Sequence, residues 1–440
     1  MAISTWAPPK EVSKPDLVAI SNEVLSREEL PLDVRQDIFR IRVLELDWDV
    51  GGKVYQPRDP DRIPIGADGN RAGLFLVHGG GGDHRSLEPL AVLLAGRFGF
   101  KVATITYPGQ LYLLDPSRAW PGDTLNGDGT ARTPIFRQHE QIGPDQYELV
   151  EDRSDPKARA RWGTLFLVRA KPGSVLYDRL AAWPLAMEVA MQTTCARQFP
   201  PGEFSIYVHG HSTGGPFAHL LLQRVENIGG LVGTETSPFG KMYRAMHPER
   251  WNHPFNVISV RTWRDIARYR GPEAGPDGMW RLPWLMEDIL DEWADRKHLP
   301  NMKWQYHIHY GDADALEVAA RAAAARLSFS EAETSDLVQR YRGYIGELPG
   351  PPLPPLLYAI TNNSRDHTRE MYEQVLLPML AEITPPPRTH LTRFQAGVHS
   401  YLRPELDLPK GVGPAMGQLW LQAIQNGFYL RQQPARASGS

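Results

Sequence analysis

Residues 204–215 read Phe204-Ser205-Ile206-Tyr207-Val208-His209-Gly210-His211-Ser212-Thr213-Gly214-Gly215. Residues 204–208, mostly aromatic and β-branched, have the composition of a buried strand, and residues 216–224 read as a helix. Between them stands Gly-x-Ser-x-Gly, with Gly210 and Gly214 flanking Ser212. Alone the pattern is weak, because 39 glycines among 440 residues make about 0.2 chance matches at ordinary serine usage. At a junction of strand and helix it is strong. A sharp turn there holds its serine at strained backbone angles. The glycines let strand and helix approach closely, and the hydroxyl projects above the sheet edge with a helix N-terminus behind it. The plain alternative is an ordinary Gly-rich turn.

Working upstream, residues 74–77 form an apolar strand run that ends in His78-Gly79-Gly80-Gly81-Gly82. A helical stretch at 86–98 and a second apolar strand at 101–106 follow. Strand, helix, strand with short connections is a βαβ unit and implies a parallel sheet. Glycines after the first strand let backbone N–H groups face a site with no side chain in the way. Gly80 or Gly81, together with Thr213, could then supply the donors of an oxyanion hole. Neither nucleotide-binding pattern fits. There is no P-loop lysine after Gly79, and no third glycine stands at dinucleotide-fold spacing.

Downstream, a helix is expected over Val175–Gln198 and strands over 204–208, 230–233, 355–360 and 390–394, with a last helix at 415–428. His399, five residues past the last strand, is placed to be a general base. His367 is the runner-up, and His209 and His211 are expected to pack under the site. Two carboxylates could orient the base, Asp366 ahead of Glu235. Asp366 follows the 355–360 strand through a short polar loop, and Glu235 ends the 230–233 strand. In this chain order, with the glycine loop, elbow, acid sites and terminal histidine of residues 37–430, the sequence resembles the α/β-hydrolase superfamily, in its esterase and lipase-like branch.

That resemblance implies an α/β fold: a mostly parallel sheet flanked by helices, with an inserted, mainly helical cap. It also implies a serine hydrolase acting on a carboxylic ester, an amide or a lactone. Ser212 would be the nucleophile, His399 the base, Asp366 or Glu235 the acid, and no cofactor or metal would be needed. A C–C bond hydrolase or an acyltransferase would use the same residues, and a non-catalytic binding protein of the same fold is the rival from another class.

The expected organisation is a polar N-terminal arm at 1–36 with one short helical stretch around 22–29, a core at 37–240 and 351–430, and a disordered tail at 431–440. A β-hairpin turning at Gly51-Gly52 opens the core, and a Gly-, Pro- and Asp-rich excursion at 110–173 interrupts it. The cap is expected at 241–350. It carries Trp251, Trp263, Trp280, Trp284, Trp293 and Trp304, half of the chain's 12 tryptophans, so Trp280 and Trp284 are candidates to bind an apolar or aromatic substrate. The proline-rich stretch 349–355 reads as a stiff return to the sheet. His307, His309, Asp312 and Asp314 look like a metal cluster, but their spacing matches no zinc motif, and a polar cap face is the better reading.

Composition bounds the rest. Forty-eight basic and 51 acidic residues give a net charge of −3, so no basic field points to nucleic acid or an anionic membrane. The one cysteine, Cys195, excludes an intrachain disulfide framework and a cysteine zinc cage. No apolar run is long enough to span a bilayer, and residues 1–14 lack the apolar core of a secretory signal, so a cytoplasmic protein is expected. A homo-oligomer is compatible with everything above.

Overall fold

A computed structural model describes residues 6–43, 46–79, 84–106, 108, 118–119, 133–134, 147–152, 165–170, 175–211, 214–222, 224–236, 267–269, 279–280, 321, 324, 328–345, 353–362, 369, 372–381, 385–396 and 412–431. In chain order the elements are β1 (Glu11–Val12), α1 (Lys14–Ser26), β2 (Leu32–Gln36), β3 (Phe39–Val43), β4 (Leu46–Val50), β5 (Gly52–Pro57), β6 (Arg71–Val77), α2 (Glu88–Phe98), β7 (Lys101–Ile105), β8 (Arg118–Ala119), β9 (Thr133–Pro134), β10 (Tyr147–Asp152), β11 (Leu165–Ala170) and α3 (Val175–Gln198). After these come β12 (Phe204–His211), α4 (Gly214–Leu221), β13 (Ile228–Thr234), β14 (Ala267–Tyr269), β15 (Met279–Trp280), α5 (Glu331–Ile345), β16 (Leu356–Thr361), a π-helical turn (Tyr372–Leu376), α6 (Leu377–Ala381), β17 (Thr389–Phe394) and α7 (Gly413–Gln425).

Nine strands form the main sheet in the order β1-β17-β16-β13-β12-β6-β7-β5-β2. β5 lies antiparallel to both β7 and β2, and every other pairing is parallel. The central strands β12 and β16 are buried along their whole length. Strands covered on both faces read as continuous apolar runs rather than alternating ones, which is why residues 74–77 and 204–208 stand out in the sequence. Leu74, Leu76, Tyr207 and Val232 point to one face, where Leu17 and Val24 of α1, Leu90 and Leu94 of α2, and Met416 and Trp420 of α7 complete one core cluster. Each such fully buried side chain contributes roughly 1.5–3 kcal/mol. Phe75, Val208 and Leu231 alternate to the opposite face, on the side of the packed pair α3 and α4.

Two stretches differ from the sequence expectation. The Gly51-Gly52 pair does not turn a hairpin. β3 pairs with β4, Val43 against Leu46, and β5 leaves for the main sheet. A Cβ on Gly52 would come within 2.4 Å of the Thr104 carbonyl oxygen, so glycine serves backbone approach to β7 at this point. The N-terminal arm is also more built than a short helix around 22–29. α1 starts at Lys14 behind a Ser13–Asp16 capping box, which satisfies two otherwise unpaired N–H groups. β1 extends one edge of the sheet alongside β17, and β2 forms the other edge beside β5.

A second, antiparallel sheet runs β10-β11-β14-β15. β10 and β11 come from the 110–173 excursion and β14 and β15 from the 241–350 insertion, with Val168 paired to Ala267. Strand pairing therefore joins these two stretches of chain. The remainder of the expected cap, apart from α5 and isolated positions, lies outside the described residues.

Candidate active site

β12 delivers its last residue, His211, at the centre of the sheet, and α4 begins three residues later at Gly214. Three positions without a side chain let the two elements come close. A Cβ on Gly210 would lie 2.7 Å from the Gly215 Cα, one on Gly214 2.4 Å from the Val77 carbonyl oxygen, and one on Gly215 1.7 Å from Thr236 Oγ1. Strand and helix thus approach at backbone contact across Gly210, Gly214 and Val77, and Gly215 leaves room for the Thr236 side chain. Ser212 and Thr213 themselves lie outside the described residues, as do Gly80, Gly81, Asp366, His367, His399, Trp284 and the His307, His309, Asp312 and Asp314 group. Trp280 is described through its backbone, in β15.

Glu235 is the sequence candidate that the structure describes in full. It follows β13, whose Thr234 is the ladder partner of His211, so Glu235 stands one step beyond the residue paired with the one before Ser212. It is completely buried and has φ 49°, a left-handed conformation uncommon outside glycine, asparagine and aspartate. Its amide donates to the Ala359 carbonyl at 3.0 Å. Its Oε1 accepts the Thr361 amide at 2.6 Å and the Thr361 hydroxyl. Carboxylate and backbone are thus both anchored to β16.

Two histidines near the elbow, His209 and His219, are held as neutral groups. His209 is fully buried, its Nε2 lies 2.6 Å from Thr234 Oγ1, and its ring packs 5.1 Å from Trp420. Burial pushes its pKa down to about 3. His219, on α4, has its pKa lowered to about 4, chiefly by burial. Its Nδ1 is 2.7 Å from the Gly215 carbonyl, which only accepts, so Nδ1 carries the proton. Nε2 then accepts from the Tyr358 hydroxyl at 2.8 Å. His78 and His84 are buried beside β6 and β7, and His84 Nδ1 meets Thr106 Oγ1 at 2.5 Å.

Sequence reasoning missed Tyr358, Thr361 and Tyr372. Tyr372 is buried, bonds the Thr236 backbone, and has its phenol pKa pushed well up by burial and the nearby Glu235. No local signal marks these residues, since each reaches the site only through long-range strand and helix placement. Among the described residues no group of three histidines, cysteines or acids could hold a metal ion, and no helix is long and apolar enough to cross a membrane.

The strand order, with β12 leading to α4 at its centre, defines an α/β-hydrolase fold. No protein-family model matches the chain, and no curated protein matches it in sequence. Among solved structures it is similar to the esterase Est22, at 11% identity over 93% of this chain and 86% of that one, with a TM-score of 0.41. A thermostable esterase from Pseudomonas putida ECU1011 gives 11% identity over 96% and 91%, with a TM-score of 0.38. A structure from a study of two fungal esterases of Rhizomucor miehei gives 9% over 94% and 90%, with a TM-score of 0.38. At these scores the likenesses carry no weight, and the fold rests on the strand order.

Proposed function

We propose that the protein is a serine hydrolase that cleaves a carboxylic ester of apolar or aromatic character. The observation that carries the reading is the glycine-lined strand-to-helix junction at the sheet centre, where close packing of Gly210, Gly214 and Gly215 suits an exposed Ser212. In this reading Ser212 Oγ attacks the ester carbonyl carbon as His399 removes its proton. The tetrahedral oxyanion takes N–H donors from Thr213 and from Gly80 or Gly81. Collapse expels the alcohol, protonated by His399, and leaves an acyl-enzyme. Water, deprotonated by the same imidazole, then releases the acid and regenerates Ser212.

Glu235 is the carboxylate we assign to orient His399 and offset its charge, in preference to Asp366. Its complete burial, its left-handed backbone and its two bonds from Thr361 support that choice. A non-glycine residue persists in such a conformation when its surroundings over-determine it, and such residues cluster at active sites. Trp280 and Trp284 are assigned to the substrate side on their aromatic surface.

The test is labelling with a fluorophosphonate. The intact protein should react at Ser212, and Ser212→Ala should keep its fold while losing on the order of 10⁴-fold or more in ester turnover. A variant that retains a tenth of the activity would remove Ser212 as nucleophile.

A further inference from the structure

Behind the turn that carries Glu235 lies a hydroxyl that the proposed reaction does not use. Tyr372 is fully buried at the start of the π-helical turn. Its Oη accepts from the Thr236 amide at 3.0 Å and donates to the Thr236 carbonyl. One phenol, able both to donate and to accept, thus closes both backbone polar groups of the residue after Glu235.

The same network reaches the other side of the site. The Tyr372 ring lies 5.5 Å from that of Tyr358, whose hydroxyl meets His219 Nε2 at 2.8 Å. His219 bonds the Gly215 carbonyl at 2.7 Å, and Gly215 abuts the Thr236 side chain. The end of β13 and the first turn of α4 are braced by one buried set of groups. Glu235 needs such a brace. With φ at 49° its backbone is held against its own preference, and release to an extended conformation would swing its carboxylate away.

We propose that Tyr372 is a positioning residue: its hydroxyl clamps the Thr236 backbone so that Glu235 keeps the left-handed conformation aiming its carboxylate at the base. This rests on the reading of Glu235 as the acid of a serine hydrolase. Misplacement of one catalytic group by about 1 Å costs about 10²-fold, and loss of one of several clamps should cost less than that.

Tyr372→Phe removes only Oη. Expected is a fall in kcat of roughly ten- to a hundredfold with KM within about twofold. The same change in a Glu235→Gln background should cost less than about twofold more, because coupled residues do not add. Equal losses in both backgrounds, or a wild-type kcat, would overturn the inference. If Tyr372→Phe fails to fold by circular dichroism, 3-fluorotyrosine placed at 372 keeps the ring and hydroxyl while strengthening the donor. It should change kcat at constant KM, and the change should vanish with Glu235→Gln; an unchanged kcat again refutes the role. A wild-type protein that does not label at Ser212 would overturn the hydrolase reading and the inference together, whereas normal labelling with equal losses overturns the inference alone.

Discussion

Gly215→Ala is a sensitive probe of the elbow, because one added methyl has nowhere to go. The new Cβ would lie 1.7 Å from Thr236 Oγ1, 2.5 Å from its Cγ2 and 2.6 Å from its Cβ. Ordinary contact begins at about 3.5 Å, so roughly 1–2 Å of separation must be opened. Rotating the Thr236 side chain cannot clear its own Cβ, and its backbone is tied to Tyr372. Either α4 or the end of β13 must therefore shift. Overpacking of this kind costs typically about 1–3 kcal/mol, occasionally more, and we expect the upper end. A shift of about 1 Å between the Ser212 turn and Glu235 should also reduce turnover about 10²-fold. Urea unfolding and the rate of fluorophosphonate labelling measure the two effects on one preparation. Adding Thr236→Ala removes the two nearest atoms but leaves the Cβ, so the double variant should recover part of the stability. A Gly215→Ala protein with wild-type stability and labelling rate would refute the close approach of α4 to Thr236.

Glu235→Gln should lower kcat by roughly 10³–10⁴-fold, by analogy with loss of a triad carboxylate, whereas Asp366→Asn should cost about ten- to a hundredfold. The reverse order, measured on folded proteins with one ester, would move the acid to Asp366. Glu188, 3.0 Å from Arg224 and almost wholly buried, has its pKa raised from 4.5 to about 7, first by burial. Its native state therefore binds the proton more tightly than its unfolded state. The resulting stability is fully present below pH 4.5 and is lost as pH rises through about 7. Glu188→Gln should flatten the dependence of unfolding midpoint on pH between 4.5 and 7, and an unchanged slope would contradict this.

What the sequence discloses follows the physics of each segment. The 74–77 and 204–208 runs are visible because strands buried on both faces are continuously apolar, and the elbow is visible because its glycines have a fixed spacing. α1 is nearly silent: its buried stripe is Leu17, Ser21 and Val24 on an otherwise polar helix. At Gly51-Gly52 a glycine pair suggests a turn, yet Gly52 answers to a strand that arrives some fifty residues later. Glu235 is legible as a candidate by its place at a strand end. Its left-handed backbone, its hold by Thr361 and its brace by Tyr372 depend on partners more than 120 positions away, and no local pattern encodes them.

The pairing of β1 with β17 has a consequence for biosynthesis. Glu11 and Gln395 bond across 384 positions of chain. At about 5–20 residues per second, a ribosome needs tens of seconds between making the two. For that interval the segment that will complete the sheet has no strand to join, and the edge it finally covers does not exist. The sheet can close only after nearly all of the chain has left the ribosome, as expected for contacts of very high sequence separation. A product that terminates before residue 389 would carry an orphaned β1 and leave β16 as a bare edge, open to pairing with another molecule.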